Sequence, residues 1–204
     1  MIRIIDYGLG NVSAFVNMYK RMNIPALPAK SVDDLRDASK LILPGVGAFD
    51  HAMYLLTNSG MKDMLDQMVM HEKVPVLGVC VGMQILANDS EEGISKGLAW
   101  VPGHVRNFNT ALQDRCPPLP HMGWNNVVPK TDDPLFDGMA ESMRFYFLHS
   151  FYFDCLDPEH SIATAEYGIK FSCVIRNENV YGTQCHPEKS HHFGAALLKN
   201  FANV

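Results

Sequence analysis

The chain has 204 residues, enough to bury one sizeable core, so a single domain over 1–204 is expected. A net charge of -5 leaves no broad basic surface for nucleic acid, and no apolar run approaches the ~20 residues that cross a bilayer, so neither partner is expected. Five cysteines at irregular spacing, with no Cys-x-x-Cys pair and no signal-peptide layout at Met1-Ile2-Arg3-Ile4-Ile5, exclude a disulfide framework; the expectation is a reducing cytoplasm, no metal and no cofactor.

In chain order, residues 3–7 read as a strand, followed by the turn Gly8-Leu9-Gly10-Asn11. A helix over 12–22 comes next, with Asn11 able to cap it and Val12, Phe15, Val16, Tyr19 and Met22 at helical spacing. Gly8 and Gly10 lack the third glycine of a dinucleotide fingerprint. A short strand over 25–28 and a helix opening at Ser31 follow. Residues 40–43 form another strand, running into Pro44-Gly45-Val46-Gly47-Ala48. Such a loop can turn backbone N–H groups toward a ligand, and it equally suits a plain strand-to-helix turn. Helices are expected over 52–56 and 61–70, the second with Met61, Met64, Leu65 and Met68 on one core-facing side.

Residues 74–87 organise the rest. Val74-Pro75-Val76-Leu77 is an apolar run of buried-strand type, and Met83-Gln84-Ile85-Leu86-Ala87 favours a helix that ends in an acidic loop at 90–93. Between them lies Gly78-x-Cys80-x-Gly82. A nucleophile placed where a strand turns sharply into a helix needs small neighbours, and this is the nucleophile elbow with Cys in place of Ser. The free N–H groups of the following helix favour thiolate. Taken alone, the pentapeptide fits a small buried apolar cysteine equally well.

Downstream, residues 98–108 read as a turn and a strand, and 110–120 as a proline-rich loop. His121-Met122-Gly123-Trp124-Asn125 then leads into a strand. An aromatic strand is expected over 144–153, and further strands over 162–166, 171–175 and 179–184. A closing helix over 191–202 carries Phe193, Leu197, Leu198 and Phe201 on its apolar side. Beyond the strand at 179 comes His186-Pro187-Glu188, a base and a carboxylate two residues apart, with Pro187 fixing the backbone between them. Cys, His and carboxylate supply a nucleophile, a base and an orienter. Strand–helix alternation followed by a run of strands predicts an α/β fold: a mostly parallel central sheet, helices on both faces, and an additional antiparallel region. Residues 45–47, Cys80 and His186 would all lie beyond the carboxyl ends of parallel strands, where ligands of such sheets bind.

Gly78-Val79-Cys80-Val81-Gly82-Met83-Gln84 together with Gln184-Cys185-His186-Pro187-Glu188 resembles the signature pair of class I (triad) glutamine amidotransferases, whose fold is flavodoxin-like. Ile5-Asp6-Tyr7-Gly8-Leu9-Gly10-Asn11, Leu43-Pro44-Gly45-Val46-Gly47, Pro120-His121-Met122-Gly123-Trp124-Asn125 and Tyr146-Phe147-Leu148-His149-Ser150 resemble, more narrowly, the glutaminase subunits of imidazole glycerol phosphate synthases. The resemblance implies hydrolysis of L-glutamine by Cys80, with His186 as base and Glu188 as orienter. It implies oxyanion donors from the Val81 N–H and from Val46 and Gly47, after a peptide flip at Val46. It also implies glutamine binding by Gly45, Gly82, Gln84, Glu92, His149 and Ser150.

The same resemblance implies a heterodimer with a (β/α)8 barrel cyclase subunit that receives the ammonia for histidine biosynthesis, with Asn11, Met122, Trp124, Tyr146 and Lys189 at the interface. Hydrolysis without the partner is then expected to be slow. Val81 stands where the family usually has Leu, and Cys185 where it has Phe. Cys185 adjoins His186 but is expected inside a strand rather than at an elbow. Arg144-Phe145-Tyr146 and Ser190-His191-His192-Phe193-Gly194 resemble paralogous glutaminase subunits that supply ammonia for surface sugars, which leaves the acceptor open between the two.

Overall fold

A computed structural model describes residues 1–113 and 117–204. Five parallel strands make the half of the sheet that carries the chemistry. β1 (Ile2–Ile5), β2 (Ala26–Ala29), β3 (Lys40–Gly45) and β4 (Val76–Cys80) lie in the order β2-β1-β3-β4, and β12 (Val180–Thr183) lies beside β4. All five residues of β4 are buried, as a strand covered on both faces requires, so it reads as a continuous apolar run and not as an alternation. Helices α1 (Val12–Arg21), α3 (Phe49–Asn58) and α7 (His191–Phe201) cover this sheet; α1 and α7 are tied by a Tyr19 hydroxyl that donates to the Leu198 carbonyl at 3.1 Å.

Beyond β12 the sheet turns antiparallel, through β11 (Ile169–Asn177), β10 (Ser161–Tyr167) and β7 (His121–Pro129) to β8 (Met143–His149). A branch runs from β11 through β9 (Phe151–Cys155) and β6 (Gly103–Asn107) to the short β5 (Asp89–Ser90).

Several elements differ from expectation. The aromatic run over 144–153 is two strands divided at Ser150, because β8 pairs with β7 whereas β9 pairs with β6 and β11. The helix after the elbow, α5 (Val81–Gln84), lasts about one turn. The carbonyls of Ile85, Leu86 and Ala87 accept hydrogen bonds from the N–H groups of Leu98, Val101 and Ala99, so no further helical turn can form on them. Ser90, expected to begin the acidic loop that closes that helix, is instead strand, with Asp89 and Ser90 paired with His104 and Val105.

The helix over 61–70 is α-helical at Lys62–Asp66 and continues as a π turn at Gln67–His71; its predicted apolar side holds, with Met61, Leu65 and Met68 buried. The stretch expected as a loop from 110 begins inside a short helix, Phe108–Leu112, which Asn107 caps by accepting the Asn109 N–H at 2.8 Å; residues 114–116 of that stretch lie outside the described residues. Strand β12 ends at Thr183, so Cys185 lies two residues past its end and not within it.

Candidate active site

Strands β3, β4 and β12 run side by side, with Gly45 opposite Cys80 and Thr183 opposite Val79. Their carboxyl ends therefore meet at one edge, and stretches remote in sequence converge there. Cys80 closes β4 at φ 56° and ψ -113°, a conformation that non-glycine residues avoid at a cost of roughly 1–3 kcal/mol. The turn forms only because its neighbours lack side chains. A Cβ on Gly82 would overlap the Leu43 carbonyl oxygen, and one on Gly78 would stand 2.5 Å from the Gly82 carbonyl oxygen. Gly45 is pressed against the same turn, where a Cβ would overlap the Gly82 nitrogen.

The other half of the constellation follows β12. The His186 backbone is clamped by its N–H to the Tyr146 carbonyl, 2.8 Å, and by its own carbonyl to the Ser190 hydroxyl, 2.6 Å. A 3₁₀ turn at Pro187–Lys189, with proline in its first position, brings Glu188 back toward the ring. Glu188 Oε1 accepts the His186 Nδ1 proton at 2.8 Å, and both side chains are nearly excluded from water. Nδ1 thus holds its hydrogen, and the opposite nitrogen, Nε2, is buried with no hydrogen-bond partner among the described residues.

Burial by itself lowers the His186 pKa. The Cys80 sulfur on one side of the ring and the Glu188 carboxylate on the other outweigh that effect and hold it at about 9. The sulfur is further placed by the Gln184 side-chain amide, which donates to it at 3.7 Å, and by the Leu148 carbonyl at 3.9 Å. Cys185 is buried against the Thr183 hydroxyl at 2.9 Å, and burial pushes its thiol pKa up, which suits packing and not attack.

These groups open on a cavity of about 270 Å³. Val46 and Gly47 border it from the end of β3 and Val81 from the elbow; Gln84, Glu92, His149 and Ser150 line it, with Cys80 and His186 between. Gly47 has φ 89° and open space where a Cβ would be, so the peptides around it have room to turn. Just before that loop, the Tyr7 hydroxyl donates to the Pro44 carbonyl at 2.8 Å; burial raises the phenol's pKa, with the Cys80 charge adding, so it stays a neutral donor.

Glu92 Oε2 accepts the Phe49 N–H at 2.8 Å. Burial raises the pKa of its carboxyl group; that hydrogen bond opposes the shift and the nearby Asp50 charge adds to it. A half-buried carboxylate on a cavity wall is suited to a cationic group. Asp50 belongs to no motif legible in the sequence. It accepts the N–H groups of Ile94 and Ser95 at 3.1 and 2.9 Å, and Gly93 lacks the Cβ that would overlap its carboxylate, so it fixes the loop that presents Glu92.

Gln84 Nε2 donates to Gln184 Oε1 at 3.1 Å and to the Phe151 carbonyl at 3.4 Å. Gly45 and Gly82, expected to touch substrate, lie beneath the cavity in backbone contact with one another, outside its lining. Both ring nitrogens of His149 are bonded within the chain, so the side chain has no free nitrogen for a ligand. Among the described residues no group of three or more His, Cys, Asp or Glu side chains could hold a metal ion.

Four of the five residues expected at an interface lie together beside the cavity, Met122, Trp124 and Lys189 exposed and Tyr146 half-buried. Trp124 lies opposite Tyr146 across the β7–β8 pair, Lys189 Nζ stands 5.5 Å over the Tyr146 ring, and Met122 and Trp124 are 65% and 40% exposed. Asn11 is exposed and caps α1, accepting the Ala14 N–H at 3.1 Å.

Residues 4–204 match the family described as glutamine amidotransferase class-I. Over its full length the chain is 56% identical to the imidazole glycerol phosphate synthase subunit HisH of Bdellovibrio bacteriovorus. It is 48% and 47% identical to the proteins of that name from Leptospira interrogans and Leptospira borgpetersenii, in each case over 100% of both chains. In fold it is similar to a crystal structure of glutamine amidotransferase, with a TM-score of 0.73 at 18% identity over 100% and 99% of the two chains. The structure of PurLQS from Thermotoga maritima gives 0.75 at 16% over 99% and 97%. No helix among the described residues is long and apolar enough to cross a membrane.

Proposed function

The chain belongs to the class I glutamine amidotransferases, and on that premise we propose that it is the glutaminase subunit of an imidazole glycerol phosphate synthase. It hydrolyses glutamine to glutamate and ammonia. The observation that carries the chemistry is the buried His186–Glu188 pair, whose unpartnered Nε2 stands beside a cysteine at a strained elbow.

With its pKa held at about 9, His186 already carries on Nε2 the proton it has taken from Cys80, and the sulfur attacks the side-chain amide carbon of glutamine as the thiolate. The amide oxygen becomes an oxyanion that accepts the Val81 N–H and a second N–H from the Val46–Gly47 stretch. On collapse the C–N bond breaks, His186 returns the proton to the departing nitrogen, and ammonia leaves a γ-glutamyl thioester on Cys80. Water, deprotonated by His186, attacks the thioester and frees glutamate. Glu188 keeps the ring in one tautomer and stabilises its charged form. Glu92 takes the ammonium group of the substrate, with Gln84 and the backbone of residues 149–150 at the same end.

Ammonia released into water is protonated and lost to synthesis, so the Met122–Trp124–Tyr146–Lys189 cluster is assigned to docking of a (β/α)8 cyclase subunit that takes up the ammonia. Trp124, Tyr146 and Met122 beside a cavity mouth have the composition of an interface core, with Lys189 at its rim. The surface-sugar acceptor has less support, since the relatives named above are all synthase subunits. The test is glutamate release by the purified chain with the barrel partner from the same genome and its acceptor nucleotide. Release is expected from the native pair and not from the pair carrying Cys80→Ala; equal release from both would end the reading.

A further inference from the structure

The protons around His149 can be assigned one after another. Its Nδ1 lies 2.7 Å from the Phe151 carbonyl oxygen, which only accepts, so Nδ1 carries the hydrogen. The ring is neutral, burial holding its pKa down to about 3, so Nε2 is a lone pair. His121 Nδ1, 2.9 Å from that lone pair, must therefore donate. His121 is also buried and neutral, with a pKa lowered to about 4, which leaves its Nε2 as an acceptor for the Asn125 side-chain N–H at 3.2 Å. Asn125 is oriented in turn: Nδ2 donates to the Glu166 carbonyl at 2.8 Å and Oδ1 accepts the Asn126 N–H at 2.7 Å.

The line is polar in one direction, from Asn125 through two imidazoles to the Phe151 carbonyl. Its rings are held in place as well. His121 lies stacked on Phe147 at 5.0 Å and on Tyr167 at 4.1 Å, which restrains it from flipping over and presenting ring carbons where its nitrogens now stand. The far end is part of the cavity, where the same Phe151 carbonyl also takes the Gln84 amide and residues 149–151 form the wall.

We propose that Asn125 and His121 are positioning residues for the glutamine cavity: the Asn125 amide sets the tautomer of His121, His121 sets that of His149, and His149 holds the 149–151 backbone in place for substrate. The proposal rests on the glutaminase reading for its kinetic effect but not for its tautomers.

Three substitutions at His121 separate the hydrogen bond from the stacking. Asparagine can place an amide N–H where Nδ1 was, so His121→Asn keeps the donor to His149. His121→Gln places its amide at the Nε2 end and loses that donor, and His121→Phe keeps only the stacked ring. The full-length chain is measured by ¹⁵N NMR of its histidine rings and, with the barrel partner and nucleotide, for glutamine KM and kcat.

The native chain and His121→Asn are expected to show His149 as a single Nδ1–H form with similar KM. His121→Gln and His121→Phe should shift the His149 Nε2 signal and raise KM about tenfold with kcat little changed, since a buried acceptor is left without its donor. Asn125→Asp, which puts an acceptor against His121 Nε2, should disturb the same signal and serves if the phenylalanine variant does not fold. An undisturbed His149 signal in both His121→Phe and Asn125→Asp, or equal damage in His121→Asn and His121→Phe, would overturn the proposal and leave His121 as packing. If the native pair released no glutamate, the glutaminase reading would fail while the ring signals still decided the tautomer assignment.

Discussion

Glu188 Oε1 stands 2.8 Å from His186 Nδ1 in a pocket nearly closed to water, while His186 Nε2, on the Cys80 side of the ring, is left without a hydrogen-bond partner. A base oriented on one nitrogen and free on the other is what proton transfer from a thiol requires. Glu188→Gln removes the charge that stabilises the imidazolium and can turn its amide N–H toward Nδ1. The expected result is a fall in kcat of at least about 10²-fold with the fold retained, measured as glutamate release in the assembled complex.

His186, held between the Cys80 sulfur and the Glu188 carboxylate, also makes stability depend on pH. The folded-state pKa of His186, about 9, lies above its ordinary 6.5. A raised histidine pKa contributes stability that is fully present below the unfolded value and is lost as pH rises through the folded one. The free energy of unfolding should therefore drop between about pH 6.5 and 9, by on the order of 3 kcal/mol. Urea unfolding at a series of pH values reads this directly. Glu188→Gln should flatten the slope, and an unchanged slope in that variant would remove Glu188 from the account.

Strain at the elbow can be measured by comparing two variants that both lack the sulfur. Cys80→Ala keeps a Cβ at φ 56°, whereas Cys80→Gly does not. Glycine populates that region freely, so Cys80→Gly should be the more stable of the two by about 1 kcal/mol, against the usual order of alanine over glycine. In contrast, Gly82→Ala forces a Cβ onto the Leu43 carbonyl and should destabilise by about 3 kcal/mol or more, or prevent folding.

Asp50 holds the loop carrying Glu92 through two backbone N–H bonds, and those bonds lower its own pKa. Asp50→Ala should loosen that loop and raise KM for glutamine about tenfold while kcat changes little, because the reacting atoms are elsewhere. Gly93→Ala, whose methyl would displace the Asp50 carboxylate, should have the same effect. A loss confined to kcat in either variant would contradict the assignment.

The cluster on β7 and β8 gives a prediction of a different kind. Trp124→Ala should cost the isolated chain only about 1–2 kcal/mol, the worth of its stack on His191 and its edge contact with Tyr146, and should weaken association with the barrel subunit about 30-fold. Calorimetric titration of the two subunits checks the second figure.

What could be read from the sequence depended on how local the signal was. The elbow is legible because two glycines bracket one cysteine within five residues, and His186-Pro187-Glu188 because its geometry is built within a single 3₁₀ turn. The parallel strands are legible because burial on both faces makes β4 uniformly apolar. Other features have no local trace. The break at Ser150 is a change of pairing partner inside a run that is rich in aromatic residues on both sides of it. The one-turn length of α5 is dictated by residues 98–101 taking the carbonyls that the next turn would use. Asp50 and the Asn125–His121–His149 line act through bonds between distant segments, and each residue alone resembles an ordinary polar side chain.

The central claim is that Cys80, activated by His186, is the one nucleophile of a glutamine cavity. The most direct measurement is mass spectrometric mapping of the chain after treatment with a glutamine-like electrophile. Modification should fall on Cys80 alone among the five cysteines, glutamine should protect against it, and His186→Ala should slow it sharply. Labelling at Cys185, or labelling of Cys80 indifferent to both glutamine and His186, would contradict the account.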